Sequence, residues 1–433
     1  MAEIKPFHGY RYKLEMPGAL ERFVAPPYDM LDAGAIDALH EKDSANIVRI
    51  TQNRPLQGDN VNRDRHARAA AILRKWIENG ILERDDIPSL YIYEQRFTWQ
   101  SGKDRRESVR TGVVALVKLV EFEEKIVLPH EATLSGPKQD RYELLDETRT
   151  HTEQIFGLLD DHGPFYELLR SCAAGREPDG TFTDVNGVAH SLFRCTDEPV
   201  LARLTELAGD KTVLIADGHH RYETGLNFYR NNPRPQYAYT MMTLVSTADP
   251  GLVIRPFHRL VKKAGNPVVM GTELARYFDL TDHGPASAAT AAAFIDSADE
   301  RSILFLDSSD GHHYGCVLND GGKTLLAGVF KEHSAPWKEL PVSMINVIVI
   351  NTIMGLQLDG HVLHDVVDYV NDSGTGIALC GNKAAYHGGF FIRPATIPMV
   401  AAVVASGDRM PQKSTNFYPK IYSGLVLHKM DNV

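Results

Sequence analysis

An α+β fold of mixed α/β character, built as two or three subdomains, is the architecture this sequence predicts. Three observations predict it. The chain has 433 residues, too many for one small core. Strand-like alternation and helix-like periodicity follow one another without a regular βαβ rhythm. No segment repeats at a solenoid period. The expected division is 1–125, an N-terminal α+β unit, then 126–260, a central unit, then 261–433, a C-terminal α+β unit.

Composition narrows the class. Hydrophobic residues make up 43% and charged residues 24%, ordinary values for a soluble globular protein. The net charge of -10 lacks the basic footprint that duplex binding leaves, so no nucleic-acid partner is expected. The densest basic stretch, Lys103-Asp104-Arg105-Arg106, is broken by an acid and suits a hairpin tip. Cys172, Cys195, Cys316 and Cys380 form no C-x-x-C pair, which argues against a zinc ribbon or a disulfide scaffold. The first residues contain no apolar signal core. The most apolar stretches, 344–354 and 399–405, are too short to span a bilayer. A cytoplasmic location without a membrane partner follows as the expectation, and homo-oligomerisation is left open.

The elements are expected in this order. Pro26 and Pro27 fix an extended turn before Tyr28 and Asp29. A helix is predicted over 61–79, where Ala69, Ile72, Leu73, Trp76 and Ile77 share one face and Gly80 ends it. Strands over 90–97 and 110–120 flank a hairpin loop at 101–104. The polar stretch 128–152 holds His130-Glu131-Ala132-Thr133 and Lys138-Gln139-Asp140-Arg141. A helix follows over 165–172, then a turn cluster over 175–187. A buried-type strand at 212–216 runs into Asp217-Gly218-His219-His220-Arg221 and a helix over 222–229, closed by Pro233 and Pro235. The last third carries strands at 302–306, 314–318 and 325–330 and helices at 342–354 and 397–405.

The strand, Gly turn and helix start around Asp217–Arg221 form the strongest chemical signal. Free N–H groups at a helix start carry partial positive charge, so phosphate or carboxylate is a natural guest. Gly218 permits close backbone approach. Arg221 can grip an oxyanion with two parallel hydrogen bonds. His219 and His220 can donate hydrogen bonds or move protons. Asp217 can cap the helix, act as a base or ligate Mg2+. A metal site joining His220 and Glu223 to His130 or His151 matches no strong zinc signature.

Two further segments carry candidate groups. Lys413, Ser414, Thr415 and Lys420 place two cations and two hydroxyls close together in the tail. Gly407 and Lys413 imitate a Walker A loop only faintly, because Gln412 replaces its second Gly and Pro419 cannot continue its helix. Glu131 lies beside His130 and near Lys138 and Arg141, as a base or metal ligand facing an anion would. A solvated salt-bridged loop accounts for the same residues. Tyr28 and Asp29 are weaker candidates for substrate contact, and Arg255-Pro256-Phe257-His258-Arg259 suits structure or a secondary anion contact.

Lys5-Pro6-Phe7, Ala25-Pro26-Pro27-Tyr28-Asp29, His130-Glu131-Ala132-Thr133, Ala216–Thr224 and Met410-Pro411-Gln412-Lys413-Ser414-Thr415, in this order, resemble the bacterial and archaeal family catalogued as domain of unknown function 1015. The central turn also resembles the phosphate-binding turn of the ParB/sulfiredoxin-like superfamily, and most closely that of its free-serine kinases. A sulfiredoxin needs a cysteine where this turn has His219 or His220. The resemblance to the kinases implies that Asp217 contacts the acceptor or a phosphate-bound metal, while Gly218, His219, His220 and Arg221 cradle phosphate. Glu131 is the candidate base from its position alone.

The expected activity is a small-molecule phosphotransferase with Mg2+, a free-serine kinase being one form of it, using ATP, ADP or pyrophosphate. Its partners are then a small-molecule substrate and a phosphate donor. A metal-dependent phosphatase or hydrolase and a non-catalytic nucleotide-binding regulator of ParB-like type are the alternatives. One pocket shared by Glu131, Asp217–Arg221 and Lys413–Thr415 is expected if catalysis depends on oriented groups.

Overall fold

The computed structural model describes residues 1–59, 61–101, 104–131, 136–263, 269–297, 299–357 and 365–431. Helices and strands alternate irregularly in an α+β arrangement. The first sheet contains β1 (Ile4–Lys5), β2 (Leu90–Ser101), β3 (Asp104–Lys118), β4 (Val127–Pro129), β5 (Ile155–Leu159), β6 (Gly180–Thr183), β7 (Ala189–Cys195), β8 (Val213–Asp217) and β9 (Tyr239–Ser246). Their order is β4-β8-β5-β9-β3-β2-β7-β6, with β1 beside β3. This sheet passes across the division expected at residue 125.

Sequence pattern explains the central strands. β2 and β3 form the expected hairpin, with Tyr91 opposite Val114 and Arg96 opposite Val109. Gly102 and Lys103, from the expected loop, lie outside the described residues. β5 is buried along its whole length, so it needs the unbroken apolar run Ile155-Phe156-Gly157-Leu158-Leu159. Gly157 is required by crowding, since a Cβ there would sit 2.8 Å from Val213.

Five helices serve this sheet: α1 (Val61–Glu78), α2 (Gly136–Thr148), α3 (Pro164–Ala173), α4 (Glu198–Gly209) and α5 (His219–Asn231). One face of the sheet packs Phe165, Leu169, Leu204, Tyr222 and Leu226 from α3, α4 and α5. Each such buried side chain contributes roughly 1.5–3 kcal/mol. The other face meets Leu73 and Trp76 of α1, the N-terminal segment and, from the far end of the chain, Leu425, Val426 and Leu427.

The second sheet lies within 258–392. It contains β11 (His258–Lys262), β12 (Phe278–Pro285), β13 (Ile303–Asp307), β14 (His312–Leu318), β15 (Val367–Val370) and β16 (Tyr386–Ile392), preceded by the short β10 (Val253–Arg255). Its order is β12-β14-β13-β16-β11-β15. The predicted helix over 342–354 is a short α-helix, Pro341–Met344, continued as a π-helix, Ile345–Ile353. Isoleucine and valine at six of the nine π-helical positions help bury 345–350 in the second core, while 351–353 are half-buried.

Two local expectations are corrected. Residues 325–330 do not form a strand; Asp320–Gly328 is a helix, because the Asn319 side chain accepts the Gly322 N–H at 3.1 Å and caps it. The turn cluster over 175–187 contains β6, which pairs with β7. There Phe182 stacks on His190 at 4.1 Å and outweighs the turn-forming composition around it.

The tail ties the two sheets together. β17 (Asn416–Tyr418) pairs with β10, and Ser423 and Leu427 then bridge to Ala25 and Tyr10. Among the described residues, no helix is long and apolar enough to cross a membrane.

Candidate functional site

β4 and β8 are adjacent and parallel, with Val127 opposite Val213 and Pro129 opposite Ile215. Their carboxyl ends therefore lie side by side. His130 and Glu131 leave one; Asp217, Gly218 and His219 leave the other. Ligands of open α/β sheets gather at such ends. β5 runs antiparallel to β8, so Glu153 and Gln154 at its start reach the same edge. A bulge between Ile215 and Asp217 re-aims the end of β8.

Gly218 takes φ 92° and ψ 27°, a left-handed conformation that turns the strand straight into α5. A Cβ there would stand 3.0 Å from the Arg221 guanidinium. Glycine is thus needed for the turn and for the arginine lying against it. No side chain caps α5, and its first turn holds no acidic residue. The helix start keeps its partial positive charge.

Asp217 lies between two cations. Its Oδ2 accepts from Lys420 Nζ at 2.8 Å, and its Oδ1 is 3.8 Å from Arg221 Nη2. Burial would raise the Asp217 carboxyl, but Lys420 and Arg221 outweigh it and hold the group well below the usual range. Arg221 Nη1 donates to the Gln154 carbonyl, while its buried Nε has no hydrogen-bond partner among the described residues. Asp29 is exposed to solvent, yet neighbouring groups that partly desolvate it and the negative charge of Asp217 raise its carboxyl, while Arg221 and Lys420 act in the opposite sense. Asp29 is thereby placed within electrostatic reach of the turn.

The two histidines on neighbouring strand ends fix each other. His130 Nδ1 lies 2.6 Å from the Ile215 carbonyl, so that nitrogen carries a proton and donates. The His130 backbone N–H donates to His219 Nε2 at 3.3 Å. His219 therefore carries its proton on Nδ1 when neutral. Burial, and then His130, push the His219 imidazole down to about 3. His220 is half-buried and engaged with neighbouring groups.

Glu131 holds the tail. Its Oε1 accepts from the Ser414 and Thr415 N–H groups at 3.1 and 3.2 Å, and from Thr415 Oγ1 at 3.3 Å. His130 Nε2 is 2.7 Å from Thr415 Oγ1. Burial raises the Glu131 carboxyl, but its hydrogen bonding and attraction to His130 bring it down to about 2. A carboxylate so stabilised is a weak proton acceptor, which points away from the base role expected for it. Ala132 and Thr133, the rest of that motif, lie outside the described residues.

The remaining expected residues divide between this cluster and its supports. Arg141 is buried, donates to the Thr51 carbonyl at 2.9 Å, and stands 3.6 Å from Glu153 and 4.3 Å over the Tyr28 ring. Glu153 in turn accepts the Tyr28 N–H at 3.1 Å. Burial raises the Tyr28 phenol. Lys138 pairs with Glu223 on α5. Ser414 and Thr415 are buried, whereas Lys413 is exposed, with its ammonium 5.5 Å from the Phe257 ring. Tyr28 and Arg141 thus brace Glu153 and Lys138 braces α5, while Glu131, His219, Asp217, Arg221 and Thr415 come together directly.

Of the residues that hold the tail in place, sequence reasoning singled out Arg259, as structural or a secondary anion contact, and missed Arg110 and Gln95. Arg259 Nη2 donates to the Lys413 carbonyl at 3.0 Å. Arg110 donates to the Pro419 carbonyl and to Gln95, and Gln95 Nε2 donates to the Lys420 carbonyl at 2.8 Å. Arg110 and Arg259 are each only 1% exposed, so both are internal anchors. Their trace in the sequence is an arginine inside a strand-like run, and an arginine on the solvent face of a strand leaves the same trace. Among the described residues, no group of three or more His, Cys, Asp or Glu is arranged to hold a metal ion.

The family described as "Protein of unknown function (DUF1015)" matches residues 4–343. No curated protein sequence matches the chain. Among solved structures, a free serine kinase mutant in complex with AMP is 9% identical, with a TM-score of 0.36, covering 71% of this chain and 87% of its own. A conserved hypothetical protein from Pyrococcus furiosus is 12% identical, with a TM-score of 0.34, covering 72% and 92%. SbnI from Staphylococcus aureus, truncated at its C-terminus, is 11% identical, with a TM-score of 0.35, covering 72% and 85%.

Proposed function

The chain belongs to the DUF1015 family, and from that premise we propose that its Asp217–Arg221 turn binds phosphate for a small-molecule phosphotransferase. The observation that carries this reading is the juxtaposition of an uncapped helix start with Arg221 and Lys420 at the ends of two parallel strands. Phosphoryl transfer depends chiefly on positioning and charge neutralisation, which this arrangement can supply. The buried Arg221 Nε has no hydrogen-bond partner among the described residues, and a phosphate oxygen is a fitting acceptor for it.

The two carboxyls near the turn are pushed in opposite directions, Asp217 down and Asp29 up. Such a split separates an electrostatic role from a proton-transfer role. Asp29 is the group suited to take a proton from an acceptor hydroxyl, and Asp217 the group that orients the cations. Glu131 orders Ser414 and Thr415. His219 stays neutral near pH 7 and packs against His130.

Asp217 does not fit the part of a direct magnesium ligand, because Lys420 and Arg221 flank both of its oxygens. Mg2+ remains proposed as a companion of the donor phosphates, with no protein ligand assigned. ATP, ADP and pyrophosphate are the donors to test. A free hydroxy amino acid such as serine is the first acceptor, by likeness of the turn alone.

Incubating the protein with each donor, Mg2+ and serine, and following products by phosphorus NMR, tests the activity. A phosphomonoester of serine, lost in Arg221→Ala together with donor binding, is the expected result. Donor binding that survives Arg221→Ala unchanged sinks the phosphate site. Donor binding without any product sinks the transferase and leaves a nucleotide-binding regulator.

A further inference from the structure

Two of the four cysteines lie against one another. Cys172 sits in the last turn of α3, and Cys195 is the last residue of β7. Both thiols are free, only 8% and 4% exposed, and members of one buried cluster. Arg176 clamps the two chain segments together. Its Nη1 donates to the Cys172 carbonyl at 3.1 Å and its Nη2 to the Arg194 carbonyl at 2.8 Å. One planar guanidinium makes both bonds, so it holds the backbone of 172 beside that of 194, close to the span that a disulfide bridges.

The chemistry of the pair is uneven. The hydrogen bond between the two thiols is the chief cause: it raises Cys172 well above the usual thiol range and brings Cys195 down to about 7. Cys195 is then partly thiolate at neutral pH, the form that attacks an oxidant. Cys316 and Cys380 lie in two other clusters, and burial pushes each up to about 12. A cavity of about 610 Å³ is lined by Ala173 and Arg176, which follow Cys172, and by Phe193, on the same strand face as Cys195. A small reagent can approach the pair through it.

We propose that Cys172 and Cys195 form a reversible disulfide in response to hydrogen peroxide. The Cys195 thiolate attacks one peroxide oxygen, the O–O bond breaks, and the departing hydroxide takes a proton to become water. Cys195 is then a sulfenic acid. The Cys172 sulfur attacks the Cys195 sulfur, the S–O bond breaks, and the Cys172 proton leaves with the hydroxide as a second water. The two thiols give up two electrons and the peroxide takes them. A dithiol reverses the reaction. The bond pins α3 to β7 and constrains the unfolded chain, so the oxidised protein is the more heat-resistant form.

Treating the folded protein with hydrogen peroxide, then counting thiols in denaturant and mapping the peptides, tests this. The count should fall by half from four, the map should join Cys172 to Cys195, and dithiothreitol should restore all four. The melting temperature should rise by several degrees on oxidation. Cys172→Ser keeps a hydrogen-bond donor but has no second thiol, so dimedone should label the Cys195 sulfenic acid in that variant. A count that stays at four overturns the proposal, and so does a cross-link through Cys316 or Cys380 in place of this pair. Cys172→Ser that takes no dimedone on Cys195, while the unaltered protein cross-links, overturns the order of attack.

Discussion

Lys420 Nζ lies 2.8 Å from Asp217 Oδ2, although 203 residues separate the two along the chain. Each side chain is 19% exposed, so the pair is largely shielded from water without being sealed from it. The pair closes the C-terminal tail over the end of β8 and offsets the charge of the Asp217 turn.

Replacing Lys420 by alanine leaves Asp217 with Arg221 alone. The loss expected is about 1–3 kcal/mol, between the values for exposed and fully buried pairs. Denaturant unfolding measures it. The same variant should bind pyrophosphate more weakly, with a shallower salt dependence. Unchanged stability and unchanged affinity together would show that the pair is incidental.

Gly218→Ala asks a non-glycine residue to adopt φ 92° and pushes a methyl group to 3.0 Å from the Arg221 guanidinium. Backbone strain alone costs on the order of 1–2 kcal/mol. Displacement of Arg221 should add a loss of anion affinity of about tenfold. Thermal unfolding and calorimetry with pyrophosphate separate the two effects.

Asp29 must be ionised to accept a proton. Its carboxyl is raised above the ordinary value, so turnover should fall as the pH is lowered through that raised value, earlier than an unshifted aspartate would dictate. Asp29→Asn should reduce turnover by about a hundredfold or more and change donor affinity little. A pH profile that is the same in both proteins argues against the assignment.

Acid sensitivity should begin with buried histidines. Burial brings His219 down to about 3 and both His258 and His313 down to about 4. A histidine depressed in the fold stabilises it fully above pH 6.5, and that contribution is lost as pH falls toward the depressed value. Each costs about 1.4 kcal/mol per pH unit in that window. Unfolding free energy measured from pH 7.5 to 5.0 should therefore decline, and His258→Gln should flatten the slope.

Glu131 acts in a lower window. Its carboxyl, brought from 4.5 to about 2, stabilises the fold above pH 4.5 and ceases to do so as pH drops toward 2. The full contribution is about 3 kcal/mol. Glu131→Gln should lose much of it at pH 7 and little at pH 2, a difference that paired denaturation curves resolve.

The local elements around the turn were legible in the sequence for a physical reason. Val213, Ile215 and Ala216 are all buried, and a Gly followed by good helix positions must turn and restart. The helix at 61–79 was equally plain, because Leu73 and Trp76 fall on one face. The expected strand at 325–330 failed because a cap at Asn319, several residues upstream, selected the helix. What Glu131 holds was not legible, because its three donors come from residues 283 and 284 positions away.

By itself the sequence determined a strand-turn-helix with an uncapped helix start, since backbone geometry and glycine's freedom act within a few residues. Only the tertiary structure decided what faces that turn. β4 lies parallel to β8, which sets His130 and Glu131 beside Asp217, and the tail returns under Arg110 and Arg259 to deliver Thr415 and Lys420. Those contacts depend on sheet order and chain path. Neither leaves a periodic trace in the residues that make them.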